Sequence, residues 1–489
     1  MKKIQKVINS FFWLPFATAF IGYAVVDGGQ GTKLLSIPEA IYASAALYFV
    51  NPVTENMNGF IMFAEIMAIV VTTSLIISAV GKLFESFSKW WDRKWFDSTA
   101  VYTDNTRGYM LADSCRHGYV SHSENYRHVE KTQDHIIMFS DDLKNLSFYT
   151  EHSKEFADKR VFILLTHVDM FLMNSSISEN VHFININDII GRKYWRENGL
   201  YDDICGKNGN KSYKIAIIGF KDIGKAIFKY GYLNNIYDQE QSIEYHIWGC
   251  GNNDIKFLEN LNFVNNDKVI IHDDEHRDEL DLLVTMNRVI VADGDIISIL
   301  QDLLYENLEL SIHCFSEEGA AFTNFFKSDS ISSFGDISEI LTEETIKDEK
   351  LYAEAKLVNY DYYLHYRNEE LPEDYEEKAE SEWKNISCFS RGSNIARADY
   401  YHIEKRKTED GVDRDTLCRL EHLRWCRYLY YNRWTFGDSK DEKRRTHPLL
   451  IPYDDLSLED RDKVGINNAV LRQRIEELMI VGANYKKED

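Results

Sequence analysis

The residues best suited to chemistry lie together near the C-terminal end: Glu421, His422, Arg424 and Trp425, within Leu420-Glu421-His422-Leu423-Arg424-Trp425. At helical spacing Glu421, Arg424 and Trp425 fall on neighbouring faces at i, i+3 and i+4. An acid, a guanidinium and an aromatic plane so arranged can accept from an amino group, grip a phosphate and stack a base. Arg391, Ser393 and Asn394, just upstream, add donors. The competing interpretation has Trp425 in a core, Glu421 and Arg424 paired with each other, and His447-Pro448 opening a turn. Catalysis has less support. His422 has no nucleophile at a relay spacing, and there is no Walker loop, no H-x-E with C-x-x-C and no paired-carboxylate motif. The expectation is a binding protein, not an enzyme, with no cofactor and no metal.

Two further sets of residues could act. Gly219 and Gly224 keep the first and last glycines of G-x-G-x-x-G, but Lys221 replaces the middle one. No acid closes the next strand at Gly249-Cys250, so the ribose-hydroxyl acceptor of a dinucleotide site is missing. Lys221, Lys225 and the helix N-terminus could still hold an anion, with a retained scaffold as the alternative. The other set is Glu65, Ile69, Thr72, Ile76 and Ala79, which share one face of an apolar helix. An ionisable group inside such a span costs on the order of 2.5–3.5 kcal/mol on insertion scales, so it normally faces a polar cavity or a partner. That face is the candidate lining of a pore. Alternatively, Glu65 pairs with the outer loop and Thr72 bonds its own helix backbone.

Two apolar stretches, 7–26 and 60–84, are each long enough to cross some 30 Å of hydrocarbon, which takes roughly 20 helical residues. Lys2, Lys3 and Lys6 precede the first, and Lys82, Lys89, Arg93 and Lys94 follow the second. Basic flanks mark cytoplasmic ends, so both termini and everything after the second span are expected in the cytosol. Between them, 37–50 is apolar but too short to span, which predicts a re-entrant or interfacial helix. The whole membrane unit is assigned to 1–97. The chain of 489 residues, 44% hydrophobic and 13% aromatic, supports several further cores. A formal charge of −23 argues against bulk nucleic-acid binding. Seven cysteines without a C-x-x-C pair fit a reducing compartment.

Short β-branched runs alternate with amphipathic segments over 98–208, at 101–103, 136–139, 161–165 and 181–184. The rhythm restarts over 209–341, at 214–218, 245–248, 269–271, 289–291 and 310–313. Both stretches predict parallel sheets covered by helices. The first lacks a phosphate loop, because Thr103-Asp104-Asn105-Thr106-Arg107-Gly108 keeps only the last glycine. The segment 342–382, rich in Glu, Lys and Tyr, reads as a helical, solvated acidic linker.

Helix, short helix, polar loop and helix resembles the pore unit of two-transmembrane cation channels, although NPVTENMNGF stands where a potassium channel carries TVGYG. The two α/β stretches behind it resemble tandem TrkA-N-like domains of the kind that regulate potassium conductance (RCK domains), which implies assembly around an axis, most often as a homotetramer. Over 383–489, Ser390 to Asn394, Ala398-Asp399-Tyr400, the E-H-x-R-W core, Trp434-Thr435-Phe436-Gly437 and His447 to Leu456 (H-P-x-L-x-P-Y-x-x-L) resemble the RyR domain, a small helical module. Joined to membrane helices and Rossmann-like domains, such a module is similar to bacterial effectors linked to anti-phage defence. That resemblance implies an inner-membrane pore controlled by a nucleotide or short oligonucleotide made by a partner nucleotidyltransferase. The fold expected is a membrane α-helical hairpin with a re-entrant helix, tandem α/β Rossmann-like domains and a small α-helical RyR-like domain. Two rival functions remain: a housekeeping ion-flux regulator sensing NAD(H) through the second Rossmann-like unit, and a membrane-anchored nucleotide hydrolase.

Overall fold

A computed structural model describes residues 12–26, 34–49, 58–95, 97–121, 132–168, 180–206, 209–326, 328–347, 350–464 and 469–484. The chain divides into two compact units, Met1–Asp97 and Ser98–Asp489.

In the first unit, helix Leu14–Ala24 carries Pro15 in its first turn, where its fixed φ is suited. Helix Ile37–Ala46 starts at a capping box in which Glu39 accepts from the Ser36 backbone N–H at 3.0 Å, and it runs on into the 3-10 turn Leu47–Phe49. The short helix therefore stands where the sequence places it. A third helix, Gly59–Trp95, begins at Asn58, whose Oδ1 accepts from the N–H groups of Phe60 and Ile61 while its Nδ2 donates to the Gly22 carbonyl at 2.8 Å. Small residues let these helices approach closely: Ala19, Ala40, Ala43, Ala64 and Ala68 are buried together with Tyr23, Leu47 and Ile61.

Among the described residues, one helix is long and apolar enough to cross a membrane, over Gly59–Ile76. The first expected span, 7–26, is described only in part. Its described helix, Leu14–Ala24, has 11 residues, and 7–11 lie outside the described residues. Met62, Ile66, Ile69 and Ile76 of the third helix are exposed within the unit, whereas the core helix of a water-soluble domain would bury such side chains.

The second unit holds two parallel sheets. The first contains β1 (Ser98–Thr103), β2 (Gly118–Ser121), β3 (Thr132–Met138), β4 (Arg160–Leu165) and β5 (Val181–Asn185), in the order β2-β1-β3-β4-β5. The second contains β6 (Ser212–Ile218), β7 (Ser242–Trp248), β8 (Lys268–His272), β9 (Arg288–Val291), β10 (Ile312–Phe315) and β11 (Ile331–Phe334), in the order β11-β10-β9-β6-β7-β8. Counted within the second sheet this is 3-2-1-4-5-6, the Rossmann order. The first sheet follows the same plan without a third strand among its described residues. Continuous apolar strands such as Val161 to Leu165 and Ile215 to Ile218 are buried on both faces, as a helix-covered parallel sheet requires. The edge strands β2 and β11 lie outside the runs expected from sequence.

The remaining helices form one module: Lys350–Arg367, Tyr375–Asn385, Cys388–Glu409, Arg414–Tyr431, Leu458–Val464 and Ala469–Asn484. The segment 342–382 is helical as expected, but it is not a solvated linker. Leu357, Tyr360, Leu364 and Ala379 are buried with Tyr401, Leu471 and Ile475. Most of its charged side chains face outward, but Glu354 is buried and pairs with Arg196 at 2.8 Å.

Buried polar contacts weld this module to the sheets. Arg192, on the helix after β5, pairs with Asp399 at 2.6 and 2.9 Å, and Tyr400 Oη donates to the Ile236 carbonyl at 2.9 Å. Arg427 donates to the carbonyls of Tyr232 and Phe263 and pairs with Asp267. One apolar core runs through all three parts of the unit.

Candidate functional site

Helix Arg414–Tyr431 is capped by Asp413, which accepts from the Thr416 N–H at 3.1 Å. Its spacing turns Glu421, Arg424 and Trp425 toward helix Cys388–Glu409, which presents Ser393, Asn394 and Arg397. Between the helices lies a cavity of about 610 Å³, within the range of small-molecule sites. Ser393, Asn394, Glu421, His422, Arg424 and Trp425, six of the seven residues singled out from sequence, line it.

Arg424 grips Glu421 with two hydrogen bonds, 2.7 and 2.8 Å. Arg397 approaches the same carboxylate at 3.3 Å and also pairs with Glu404. Burial pushes the Glu421 carboxyl up, but the two guanidiniums outweigh it, and the group is held below the usual range. Arg424 is 1% exposed, yet its Nη1 has no hydrogen-bond partner. A buried N–H without an acceptor costs about 1–3 kcal/mol, so a ligand oxygen or ring nitrogen at this point would be favoured. The pairing of Glu421 with Arg424, set out above as the competing interpretation, is real and still leaves one donor unused.

Trp425 is half-buried, with the His447 ring edge-on to it at 4.9 Å. Trp434 stacks on Phe389 at 5.2 Å, and both line the cavity. His422 Nε2 stands 2.8 Å from the Ile451 carbonyl, so that nitrogen carries the proton and donates. Burial lowers its pKa and keeps the ring neutral. The Cys426 thiol lies 3.5 Å from the same ring, but burial pushes it up to about 12, which opposes a thiolate nucleophile.

Arg391 is the exception among the sequence candidates. It does not line this cavity. Its Nε and Nη2 donate to the carbonyls of Trp383 and Lys384, both at 3.1 Å, closing the end of helix Tyr375–Asn385. The guanidinium sits 5.8 Å over the Trp383 ring, beside a separate crevice of about 70 Å³. Sequence reasoning passed over Arg397, which lies three residues after Asn394 and so on the same helix face. It also passed over Asn359, whose Oδ1 accepts from Asn394 Nδ2 at 2.9 Å from a helix assigned to the linker.

The anion loop is closed. Gly219 has φ +89, and a Cβ there would stand 2.6 Å from Asp293 Cβ. A Cβ on Gly224 would meet the Gly219 carbonyl oxygen at 2.0 Å. Both glycines thus serve the tight strand-to-helix turn. Lys221 pairs with Asp293 at 2.7 Å, and Lys225 with Asp254 at 2.9 Å. Asp293 follows β9, which neighbours β6 where the strand order reverses, the place where such sheets take a nucleotide. There both lysines are neutralised, and Asp222 adds a negative charge at the helix start. In the first sheet Asp104 takes the equivalent turn, accepting from the Ser140 N–H at 2.8 Å and pairing with Lys144 at 3.2 Å.

In the first unit Glu65 is half-buried, and Ile69 and Ile76 are exposed. Thr72 does not bond its own helix. Its hydroxyl donates to the Tyr48 carbonyl at 3.2 Å, tying the third helix to the end of the short one. The side chain of Ala79 lies outside the described residues. Among the described residues no group of three or more His, Cys, Asp or Glu is placed to hold a metal ion.

Fold and site together define a class: an apolar, span-length helix joined to tandem Rossmann-like sheets and a helical module with a ligand-sized cavity. The RyR domain model matches residues 409–487, which include Glu421, His422, Arg424 and Trp425. The solved structures similar to this chain include a crystal structure of GsuK bound to ADP, 11% identical, covering 71% of this chain and 99% of that one with a TM-score of 0.34. Another is a structure of the GsuK channel, 10% identical, covering 72% and 85% with a TM-score of 0.35. No curated protein matches the chain.

Proposed function

We propose that this chain is a membrane effector whose pore is controlled by a nucleotide or short oligonucleotide bound in the helical module. One observation carries the reading: Arg424, whose buried Nη1 has no hydrogen-bond partner, lines a cavity together with Trp425 and Trp434. A planar base has a face for the indoles and an acceptor edge for the guanidinium. The match of the RyR domain to the same helix supports it. The helices that line the cavity also carry Asp399, Tyr400 and Arg427, the residues welded to the sheets, so a ligand that shifts one helix acts on both layers. Helix Gly59–Trp95 ends two residues before β1, which gives that movement a covalent route toward the membrane.

The effector works by binding rather than turnover, since His422 is engaged with a carbonyl and the neighbouring thiol is protonated. The NAD(H) alternative loses support, because Asp293 and Asp254 occupy the lysines that would meet a pyrophosphate. The assembly is a homotetramer in a bacterial inner membrane with its sheets in the cytoplasm, lined by the face of Glu65. The setting is anti-phage defence, with the signal made by a partner nucleotidyltransferase. Moving a gate from 1:99 to 99:1 takes about 5.5 kcal/mol of differential binding, a load that four sites can share.

The test is ion flux through purified full-length chain in liposomes, with and without candidate nucleotides. A nucleotide-dependent change in flux is expected, and mass photometry in detergent should count four copies. Flux that no nucleotide alters would overturn the proposal.

A further inference from the structure

We propose that Cys205 and Lys407 form a modification site, an oxidisable pair that peroxide converts into a covalent sulfur–nitrogen bridge between the α/β layer and the helical module. Lys407, on helix Cys388–Glu409, is 5% exposed. Among the described residues its ammonium has no carboxylate within 4.0 Å. Instead its Nζ donates to Cys205 Sγ at 3.7 Å, with the Tyr201 ring 5.7 Å away. Buried charges are ordinarily paired with opposite charges, so a lysine sunk beside a thiol is not explained by stability alone.

Cys205 ends the short helix Tyr201–Cys205 and is half-buried, so a small oxidant can reach the sulfur. Its thiol also lies 3.8 Å from the Tyr237 carbonyl, which fixes the sulfur between that oxygen and the lysine. Burial pushes the thiol up, and Lys407 is the largest influence drawing it back. The net shift is upward, so the attacking thiolate is a minor species and oxidation is slow; what favours the bridge is the amine held beside the sulfur to capture the product.

The chemistry balances with hydrogen peroxide as the oxidant. The sulfur attacks one peroxide oxygen, the O–O bond breaks, and the sulfur becomes a sulfenic acid while the other oxygen leaves as water. Lys407 gives its ammonium proton to solvent, and the nitrogen lone pair then displaces hydroxide from sulfur. The S–N bond forms, the S–O bond breaks, and the hydroxide leaves as water with a proton from nitrogen. One thiol, one amine and one peroxide thus give one sulfenamide and two waters. An added thiol reverses the bond. The bridge would pin the chain entering β6 to the helix that presents Ser393, Asn394 and Arg397, independently of what the cavity binds.

The experiment is peptide mass mapping of the full-length chain in detergent after hydrogen peroxide treatment. The expected product joins the Cys205 peptide to the Lys407 peptide at the summed mass less about two hydrogens, and it separates on addition of dithiothreitol. Lys407→Arg keeps the charge without a primary amine, and should show no joined peptide, with Cys205 proceeding to the sulfinic acid. Treated wild-type chain whose Cys205 is untouched, over-oxidised without joining, or bonded to another residue would overturn the proposal.

Discussion

The Arg427 guanidinium meets the Asp267 carboxylate at 2.7 Å with both side chains completely buried. The same guanidinium donates to the Phe263 and Tyr232 carbonyls at 3.0 and 2.9 Å, so one side chain of the helical module satisfies polar groups beside the second sheet. Three residues earlier, Arg424 serves the cavity. Cavity and weld are therefore neighbouring faces of one rigid helix.

Asp267→Asn leaves Arg427 buried without its counter-charge, which costs about 3–5 kcal/mol. Thermal unfolding of the full-length chain in detergent should show a lower Tm. Replacing both residues with apolar ones should not recover the loss, because the Tyr232 and Phe263 carbonyls and the Ile243 N–H would then be left without partners. An unchanged Tm in Asp267→Asn would mean that the pair is not formed.

Trp425→Ala removes a stacking surface worth about 1–3 kcal/mol per base, on the order of a 10- to 100-fold weaker Kd. Arg424→Lys keeps a charge but loses the fork that holds Glu421 while leaving a donor for the cavity, so it should behave like the alanine variant. Calorimetry with the nucleotide found active in the flux assay checks both. Wild-type affinity in either variant would move the ligand elsewhere.

Acid should destabilise the second unit through two histidines whose pKa values burial lowers. Burial, reinforced by Arg288, holds His313 at about 3, and burial, reinforced by Arg196, holds His402 at about 4. Both start from about 6.5 in the unfolded chain, so the unfolded state takes up their protons first as pH falls. Their contribution is whole above pH 6.5 and is lost toward about 4, at about 1.4 kcal/mol per pH unit for each group. Denaturant unfolding across that window should show the slope, and His402→Gln should make it shallower. An identical slope in the variant would remove His402 from the account.

The glycine loop separates scaffold from site. Gly224→Ala drives a methyl group into the Gly219 carbonyl and should abolish soluble expression or lower the Tm sharply. Lys221→Ala removes only an exposed pair with Asp293 and should leave both Tm and the nucleotide response unchanged. A lost response in Lys221→Ala would restore the loop as an anion site.

Glu65→Gln keeps shape and removes charge. If its face lines the pore, ion selectivity in liposomes should change while the copy number by mass photometry does not. Unaltered selectivity would take Glu65 out of the conduction path.

Much of this was legible in residue order. Runs such as Ile215 to Ile218 announce buried parallel strands because no other element hides an unbroken apolar run on both faces. The spacing of Glu421, Arg424 and Trp425 places them together because helical geometry alone sets who shares a face. The apolar stretch after Asn58 is one long helix for the same local reason. Other features depend on partners distant in the chain, and local pattern carries no information about those. Lys221 looked available until Asp293, from the next half of the sheet, was found across from it. Arg391 looked like a donor to a ligand, but the end of the neighbouring helix offered it two carbonyls. Arg397 entered the site, and 342–382 turned from linker to wall, because of which helix each one met. The sequence by itself determined the elements and the composition of their faces, since those follow from spacing along one chain. Only the tertiary structure decided which charges are spent on one another and which groups, like Arg424 Nη1, keep no hydrogen-bond partner.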